Sequence, residues 1–246
     1  MEKEITVIIA CMDPRLNERL NELSGRDDVL ILRNAGANVN GLRKSLQSVI
    51  DSGIGIKAIV SMQHNDCAAN KFIKSIIDKE RPEPSKILMD SLVRQFIRSD
   101  VDLANIDQTN HDMQIDSLQK LVEGKIKVRD GYATVHIPTP HNSHEHKEHT
   151  VVAIIGRSHV PYECIAEALH KELKSIYIIQ AIHAKDVHPD IELAKTLFNL
   201  KHIVIPKLET HRDLHNETAR EVSKAFGIDV EMVNLTQNCV KSRSKH

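Results

Sequence analysis

Two short stretches carry side chains whose types and spacing could do chemistry together. Cys11-Met12-Asp13-Pro14-Arg15 follows the apolar run Ile5-Thr6-Val7-Ile8-Ile9-Ala10, and His64-Asn65-Asp66-Cys67 follows the apolar run from Ile56 to Met62. Both runs are short and rich in β-branched residues, the pattern of a strand buried on both faces of a parallel sheet. A thiol, a carboxylate and a guanidinium therefore emerge at one strand end, and an imidazole and a second thiol at another. Thiolate sulfur and imidazole nitrogen are zinc ligands, and a catalytic zinc site keeps three protein ligands plus one exchangeable position. Cys11, His64 and Cys67 supply three. The ends of adjacent parallel strands are also where open α/β sheets bind their ligands. Asp13 before Pro14 reads in addition as a helix N-cap followed by proline at the first helical position.

These residues need a scaffold, and the first half of the chain spells one out. Leu16, Leu20 and Leu23 mark a short helix ending near Ser24-Gly25. Val29-Leu30-Ile31-Leu32 is a second buried strand that runs into the small-residue loop Arg33-Asn34-Ala35-Gly36-Ala37-Asn38. Leu42, Leu46, Val49 and Ile50 mark a helix closing at Ser52-Gly53, ahead of the third strand. Strand, helix, strand, helix, strand predicts an α/β fold with a central, mainly parallel sheet flanked by helices. Residues 69–122 are mostly helical in pattern, with a break at Arg81-Pro82-Glu83-Pro84 and a polar loop near Asn105–Asn110. Lys125–Val128 and Ala133–Ile137 read as strands joined by an Asp130-Gly131 turn.

Residues 139–149, with His141, His144, His146 and His149, read as a His-rich linker. They separate a zinc-binding domain over 1–138 from a second α/β pattern over 150–246. Strands are expected at Val151–Ile155, Ile176–Ile179 and Ile203–Ile205, and helices at Glu163–Leu173, Ile191–Leu197 and Leu214–Phe226. The rhythm repeats that of the first half, which predicts a diverged tandem duplication. The position matching Cys11 falls near Gly156, and that matching Asp13 near Ser158, so the second half carries no metal ligands.

Composition narrows the classes. The chain has 246 residues, 41% hydrophobic and 27% charged, ordinary for a soluble globular protein. A net charge of −1 and an aromatic content of 3% argue against nucleic acid as a partner. No run approaches the roughly 20 apolar residues of a membrane span, and Met1-Glu2-Lys3-Glu4 lacks signal-peptide character. A cytoplasmic protein is expected, in which the four cysteines are metal ligands or free thiols rather than disulfides.

Cys-x-Asp-x-Arg after the first strand, Asn-Ala-Gly after the second and His-x-x-Cys after the third resembles the β-class carbonic anhydrases over roughly residues 1–138. Gly124-Lys125-Ile126-Lys127-Val128 is similar to that family's last sheet strand. The resemblance implies a zinc ion on Cys11, His64 and Cys67, with Asp13 and Arg15 as a catalytic dyad. Asp13 would either take the fourth zinc position or swing to Arg15, whose bidentate fork suits it to draw a carboxylate away. The implied reaction is reversible hydration of carbon dioxide to bicarbonate by zinc-bound hydroxide. Asn34, Ala35 and Gly36 are expected on the substrate side: the small residues let backbone approach, and Asn34 bonds within the loop or serves as a turn residue. Pro14 and Ala68 stand where the family commonly has Ser or Ala, and Gly. Related enzymes hydrolyse carbonyl sulfide or carbon disulfide, which leaves that activity as an alternative; a non-catalytic zinc-binding interaction protein is another. Because family members dimerise, residues 150–236 are expected to act as an internal pseudo-partner, making a pseudo-dimer within the chain that could itself form a homo-oligomer.

Overall fold

The three apolar runs form β1 (Ile5–Cys11), β2 (Val29–Asn34) and β3 (Ile56–Met62), parallel, with β1 between the other two. The register sets Cys11 beside Asn34 and Ala10 beside Met62, so the chemistry-bearing stretches leave the sheet at the same end. This is seen in a computed structural model, which describes residues 4–98, 101–135, 149–157, 159–198, 200–207 and 212–235. Three of the four linker histidines lie outside the described residues, as do Ser158 and Cys239.

Helices cover both faces of the strands. A short 3₁₀ turn, Pro14–Leu16, leads into α1 (Asn17–Ser24), and α2 (Arg43–Ile50) and α3 (Ala68–Ile77) follow β2 and β3. α4 (Lys86–Leu88) continues through a π turn into α5 (Arg94–Arg98), and α6 (Ile106–Val122) packs behind α3. No helix among the described residues is long and apolar enough to cross a membrane.

Two expectations in this stretch need correction. The polar segment near Asn105–Asn110 is no loop: Asn105 caps α6, and Ile106–Asn110 is its first turn. Asn110 at its end faces inward and donates to the carbonyl of Gly36 and to Gln63 Oε1, both at 2.9 Å. Nor do residues 125–135 form a hairpin; the last two residues of the expected second strand lie outside the described residues. β4 (Val128–Asp130) pairs parallel with β3, and the chain continues alongside, bridging Ala133 to His64. Gly131 serves this close approach rather than a turn, since a Cβ there would lie 2.6 Å from Val60 Cγ1.

The second half adds β5 (Thr150–Ile155), α7 (Tyr162–Ala168), β6 (Ile176–Ala181), α8 (His188–Phe198), β7 (His202–Lys207), α9 (Arg212–Phe226) and β8 (Asp229–Asn234). α7 is shorter than the expected 163–173, and Leu173–Ser175 forms a separate 3₁₀ turn. All eight strands join one sheet in the order β4-β3-β1-β2-β6-β5-β7-β8. Pairing is parallel within each half and antiparallel only where β2 meets β6.

At that seam Arg33, fully buried, sits opposite Gln180. Its guanidinium donates to the carbonyl oxygens of Cys11 (2.8 and 3.0 Å) and Asp13 (3.0 Å) and to Asn17 Oδ1 (2.6 Å), and it lies over the Tyr162 ring. Arg33 therefore holds the backbone of the Cys11–Asp13 stretch. Replacing it by methionine takes the side-chain donor from two buried acceptors, the Cys11 carbonyl and Asn17 Oδ1, at about 1–3 kcal/mol each, while the Asp13 carbonyl keeps the Leu16 N–H at 3.1 Å. Arg33→Met is expected to lower unfolding free energy by about 2 kcal/mol or more, read as a drop in urea midpoint at unchanged slope.

Candidate active site

The sulfurs of Cys11 and Cys67 and a ring nitrogen of His64 all lie within 4.8 Å of one another, and all three residues are buried. They form the single group of three or more potential metal ligands among the described residues. The two sulfurs stand 3.8 Å apart, about the separation of two thiolates each ~2.3 Å from a tetrahedral zinc. His64 is oriented by its Nδ1, which contacts the Asn65 carbonyl at 2.8 Å. With Nδ1–H committed there, Nε2 is left as the electron-pair donor. That Nε2 is buried and has no hydrogen-bond partner, a costly state for a polar atom unless something else binds it. Donor type, sulfur spacing and the lone nitrogen all fit a zinc ion.

Asp13 stands beside this trio, its Oδ2 3.9 Å from His64 Nε2. As expected from the Asp-Pro pair, its side chain caps the 3₁₀ turn, with Oδ1 accepting from the Arg15 N–H at 2.9 Å. Pro14 occupies a position where an N–H would have no helical partner. The Arg15 guanidinium grips the same carboxylate, Nε to Oδ1 at 2.9 Å and Nη2 to Oδ2 at 2.7 Å. Burial pushes the Asp13 pKa up, but the Arg15 fork outweighs it and keeps the group below the usual carboxylate range. Among the ligand groups, the Cys67 thiol beside Cys11 stabilises Cys11 as thiolate, while Cys11 and burial push the Cys67 pKa up. Burial disfavours charge on His64, yet the Cys11 thiolate and Asp13 raise its pKa to about 9, so Nε2 becomes an electron-pair donor by releasing its proton when a metal binds.

The loop carrying His64 and Cys67 has its own anchor. Asp107, in the first turn of α6, accepts from the Asp66 N–H (2.6 Å), the Cys67 N–H (3.4 Å) and Asn70 Nδ2 (2.8 Å). Asp66 sits at a positive φ of 58° and contacts the far edge of Arg15. Neither aspartate stands out in the sequence as a positioning group. Asp66 was visible inside its motif, but its task depends on a left-handed backbone, and Asp107 lies 40 residues from its partner.

Of the three residues expected on the substrate side, Ala35 borders a cleft that Cys11 and Cys67 also line, whereas Asn34 and Gly36 build the loop itself. Asn34 exchanges two bonds with Asn38, at 2.7 and 2.8 Å. Gly36 has φ 67° and packs between Asn70 and Asn110. Ala68, at the start of α3, also borders the cleft and is exposed.

The opposite wall of the cleft comes entirely from the second half: Tyr177 on β6, and Leu193, Ala194, Leu197 and Phe198 on α8. The Tyr177 and Phe198 rings pack at 4.6 Å, and the His149 ring stacks on Phe198 at 4.5 Å. Burial and the nearby Asp13 push the Tyr177 pKa up to about 12, so its phenol stays protonated. α8 also clamps the Asn34–Ala37 loop, with Asp190 Oδ1 accepting from the Ala35 N–H at 2.7 Å.

The family model described as carbonic anhydrase matches residues 6–158. The chain belongs to the β-carbonic anhydrase family. No curated protein matches it. Similar solved structures include a carbonic anhydrase from Streptococcus mutans, 23% identical over 55% of this chain and 80% of that one, with a TM-score of 0.36. A tetrameric β-carbonic anhydrase from Sordaria macrospora is 15% identical over 55% and 77%, with a TM-score of 0.38. A carbon disulfide hydrolase in its apo form is 17% identical over 54% and 75%, with a TM-score of 0.35.

Asp190 gives this member of the family a pH signature of its own. Its carboxyl is buried and Oδ2 has no partner, so burial raises its pKa well above the ordinary carboxylate value, with Cys11 and Asp186 adding to the effect. A group whose folded pKa is raised stabilises fully below its unfolded pKa, and that stability is lost as pH rises through the folded pKa. Asp190→Asn keeps an acceptor for Ala35 and removes the titration. The melting temperature of the variant relative to the parent is expected to climb as pH is raised from about 4 to 8, measured by calorimetry at each pH; parallel curves would refute this.

Proposed function

We propose that this protein hydrates carbon dioxide reversibly to bicarbonate at a zinc site held by Cys11, His64 and Cys67. The observation that carries the reading is the buried Cys-Cys-His trio with an unpartnered His64 Nε2, flanked by the Asp13–Arg15 pair and opening on an apolar cleft. Zinc held there would supply Lewis acidity and draw the pKa of a bound water toward about 7.

The chain's own residues supply the rest. Arg15 keeps Asp13 ionised and holds both its oxygens, so the carboxylate stands beside the ligands as a hydrogen-bond acceptor. In that place it orients a water and takes its proton. Leu193, Ala194, Leu197 and Phe198 give an apolar wall suited to a small substrate without charge. The charged product gains nothing from that wall, which favours its release. Carbonyl sulfide and carbon disulfide fit the same apolar wall, and their hydrolysis is the second reading.

The second half serves in this proposal as an internal partner domain, with 1–138 as the zinc-binding domain, 139–149 as linker and 150–246 as a diverged repeat. Strand order supports it: 4-3-1-2 in the first half corresponds to 8-7-5-6 in the second, meeting antiparallel at β2 and β6. The contacts are reciprocal. α8 caps the loop after β2 through Asp190, and α2 caps the loop after β6, where Ser45 Oγ accepts from the N–H groups of Ile182 (3.0 Å) and His183 (3.2 Å). The ladders align Cys11 with Ile155 rather than Gly156, since Cys11 pairs with Asn34 and Ile155 with Ala181. Cys11 and Cys67 carry thiols rather than a disulfide, in keeping with a cytoplasmic setting.

Zinc content and turnover test the reading together. One zinc per chain and carbon dioxide hydration are expected of the parent, measured by stopped flow from pH 6.5 to 9. Cys67→Ser is expected to lose the zinc and the activity. Asp13→Ala is expected to keep the zinc and lose about a hundredfold in turnover. Zinc with carbonyl sulfide hydrolysis and no hydration would give the second reading, and zinc with neither activity would leave a non-catalytic zinc protein.

A further inference from the structure

Arg15 faces two carboxylates, and the one outside the dyad fixes where the guanidinium points. Nη1 donates to Asp66 Oδ2 at 2.8 Å and Nη2 to the Asp66 carbonyl at 2.9 Å, while Nε and Nη2 hold Asp13. Asp66 is held in turn by Lys71 on its other oxygen and by Asp107 through its N–H. Asp66 lies between His64 and Cys67, so the loop that carries two ligands also carries the brace for Arg15. Asp13 Oδ2 is only 3.9 Å from His64 Nε2, so a turn of the Asp13 side chain away from Arg15 would bring it to the metal as a fourth donor.

We infer that Asp66 is a positioning residue: it orients Arg15 so that Asp13 stays drawn to the guanidinium, which keeps the fourth metal position exchangeable. This rests on the zinc site proposed above. The part played by the Asp66 side chain is separable from that of its backbone. The Asp107 contact and one Arg15 contact are made by the Asp66 N–H and carbonyl, which any residue provides. At φ 58° glycine and asparagine are both accommodated. Asp66→Gly therefore removes the brace and leaves the loop anchored, whereas Asp66→Asn keeps an oxygen for Nη1.

The test is zinc release from the loaded protein to a chelator in excess, with turnover measured alongside. The charge-assisted bond given up is among the stronger kinds, and Asp66→Gly is expected to release zinc about tenfold more slowly as Asp13 closes over it, with a matching fall in kcat. Asp66→Asn is expected to stay within about twofold of the parent. In an Asp13→Ala background, Asp66→Gly is expected to change zinc release no further, because the residue that closes is gone. Parental zinc release in Asp66→Gly would overturn the inference. So would equal slowing with and without Asp13, which would assign the effect to the loop. A parent chain that binds no zinc would overturn the metal site itself, and this inference with it.

Discussion

Two thiols, an imidazole and a carboxylate are gathered here within a few ångströms, each less than one-tenth exposed. Burying such groups is expensive unless each is paired, and much of the surrounding structure answers that constraint. Arg15 compensates Asp13 and is itself shared with Asp66. Arg33 collects the carbonyls of Cys11 and Asp13, so the backbone that presents the thiol and the carboxylate ends on a fixed charge. Asp107 collects the N–H groups of Asp66 and Cys67. Of these four groups, the one with an unpartnered atom is the imidazole, through Nε2. Asn70 Oδ1 and Asp190 Oδ2 also lack partners, but His64 is the residue of the three that is grouped with two sulfurs.

The direction of the β2–β6 seam decides what covers the site. In a sheet running parallel throughout, the carboxyl ends of all strands would lie on one edge, and the ligands would face outward beside other strand ends. Because β6 runs opposite to β2, the carboxyl end of the first half meets the amino-terminal part of β6 and the flank of α8. The cleft thereby gains Tyr177, Phe198 and three aliphatic neighbours that the first half lacks. The seam itself is narrow in backbone pairing, and its stability comes from side chains crossing it, among them Asp190 to the Ala35 N–H and Asn17 to the carbonyls of Leu173 and Ile176.

How much of this was legible in the sequence follows the range of the interactions. Strands β1 to β3 announce themselves by continuous apolar runs, and the Cys11, His64 and Cys67 trio and the Asp13–Arg15 pair by their place directly after them. The Asp13-Pro14 cap is local and was equally readable. The misread segments are those in which a polar or glycine residue answers a distant partner. Asn110 and Gln114 look like surface residues of a loop or helix, yet they are buried against the Asn34–Val39 loop. Asp130-Gly131 has the composition of a tight turn, yet the glycine is there to let the chain lie against β3. Asp66, Asp107, Asp190 and the cleft wall were invisible for the same reason, since their meaning lies in contacts across about 40 to 160 residues of chain.

The two reciprocal faces of the seam differ in kind, and among the described residues only one of them carries a group of potential metal ligands. On the first-half side the floor is Cys11 and Cys67, and the facing helix presents Leu193, Ala194, Leu197 and Phe198. On the other side the facing helix is α2, and it presents serines. Ser45 bonds Asp186 through both N–H and hydroxyl, at 2.9 and 2.6 Å, Ser48 meets His183 at 2.6 Å, and Arg157 donates to the Ser48 carbonyl at 2.9 Å. Hydrogen bonds of this kind close a crevice, since each pair satisfied is a pair that solvent or substrate would have to displace. An apolar wall over buried ligands does the opposite: it keeps water from binding strongly while leaving room for a small molecule without charge. Under the proposed duplication, the crevice without ligands acts as the joint that holds the halves in register, and that register is what places α8 over Cys11 and Cys67.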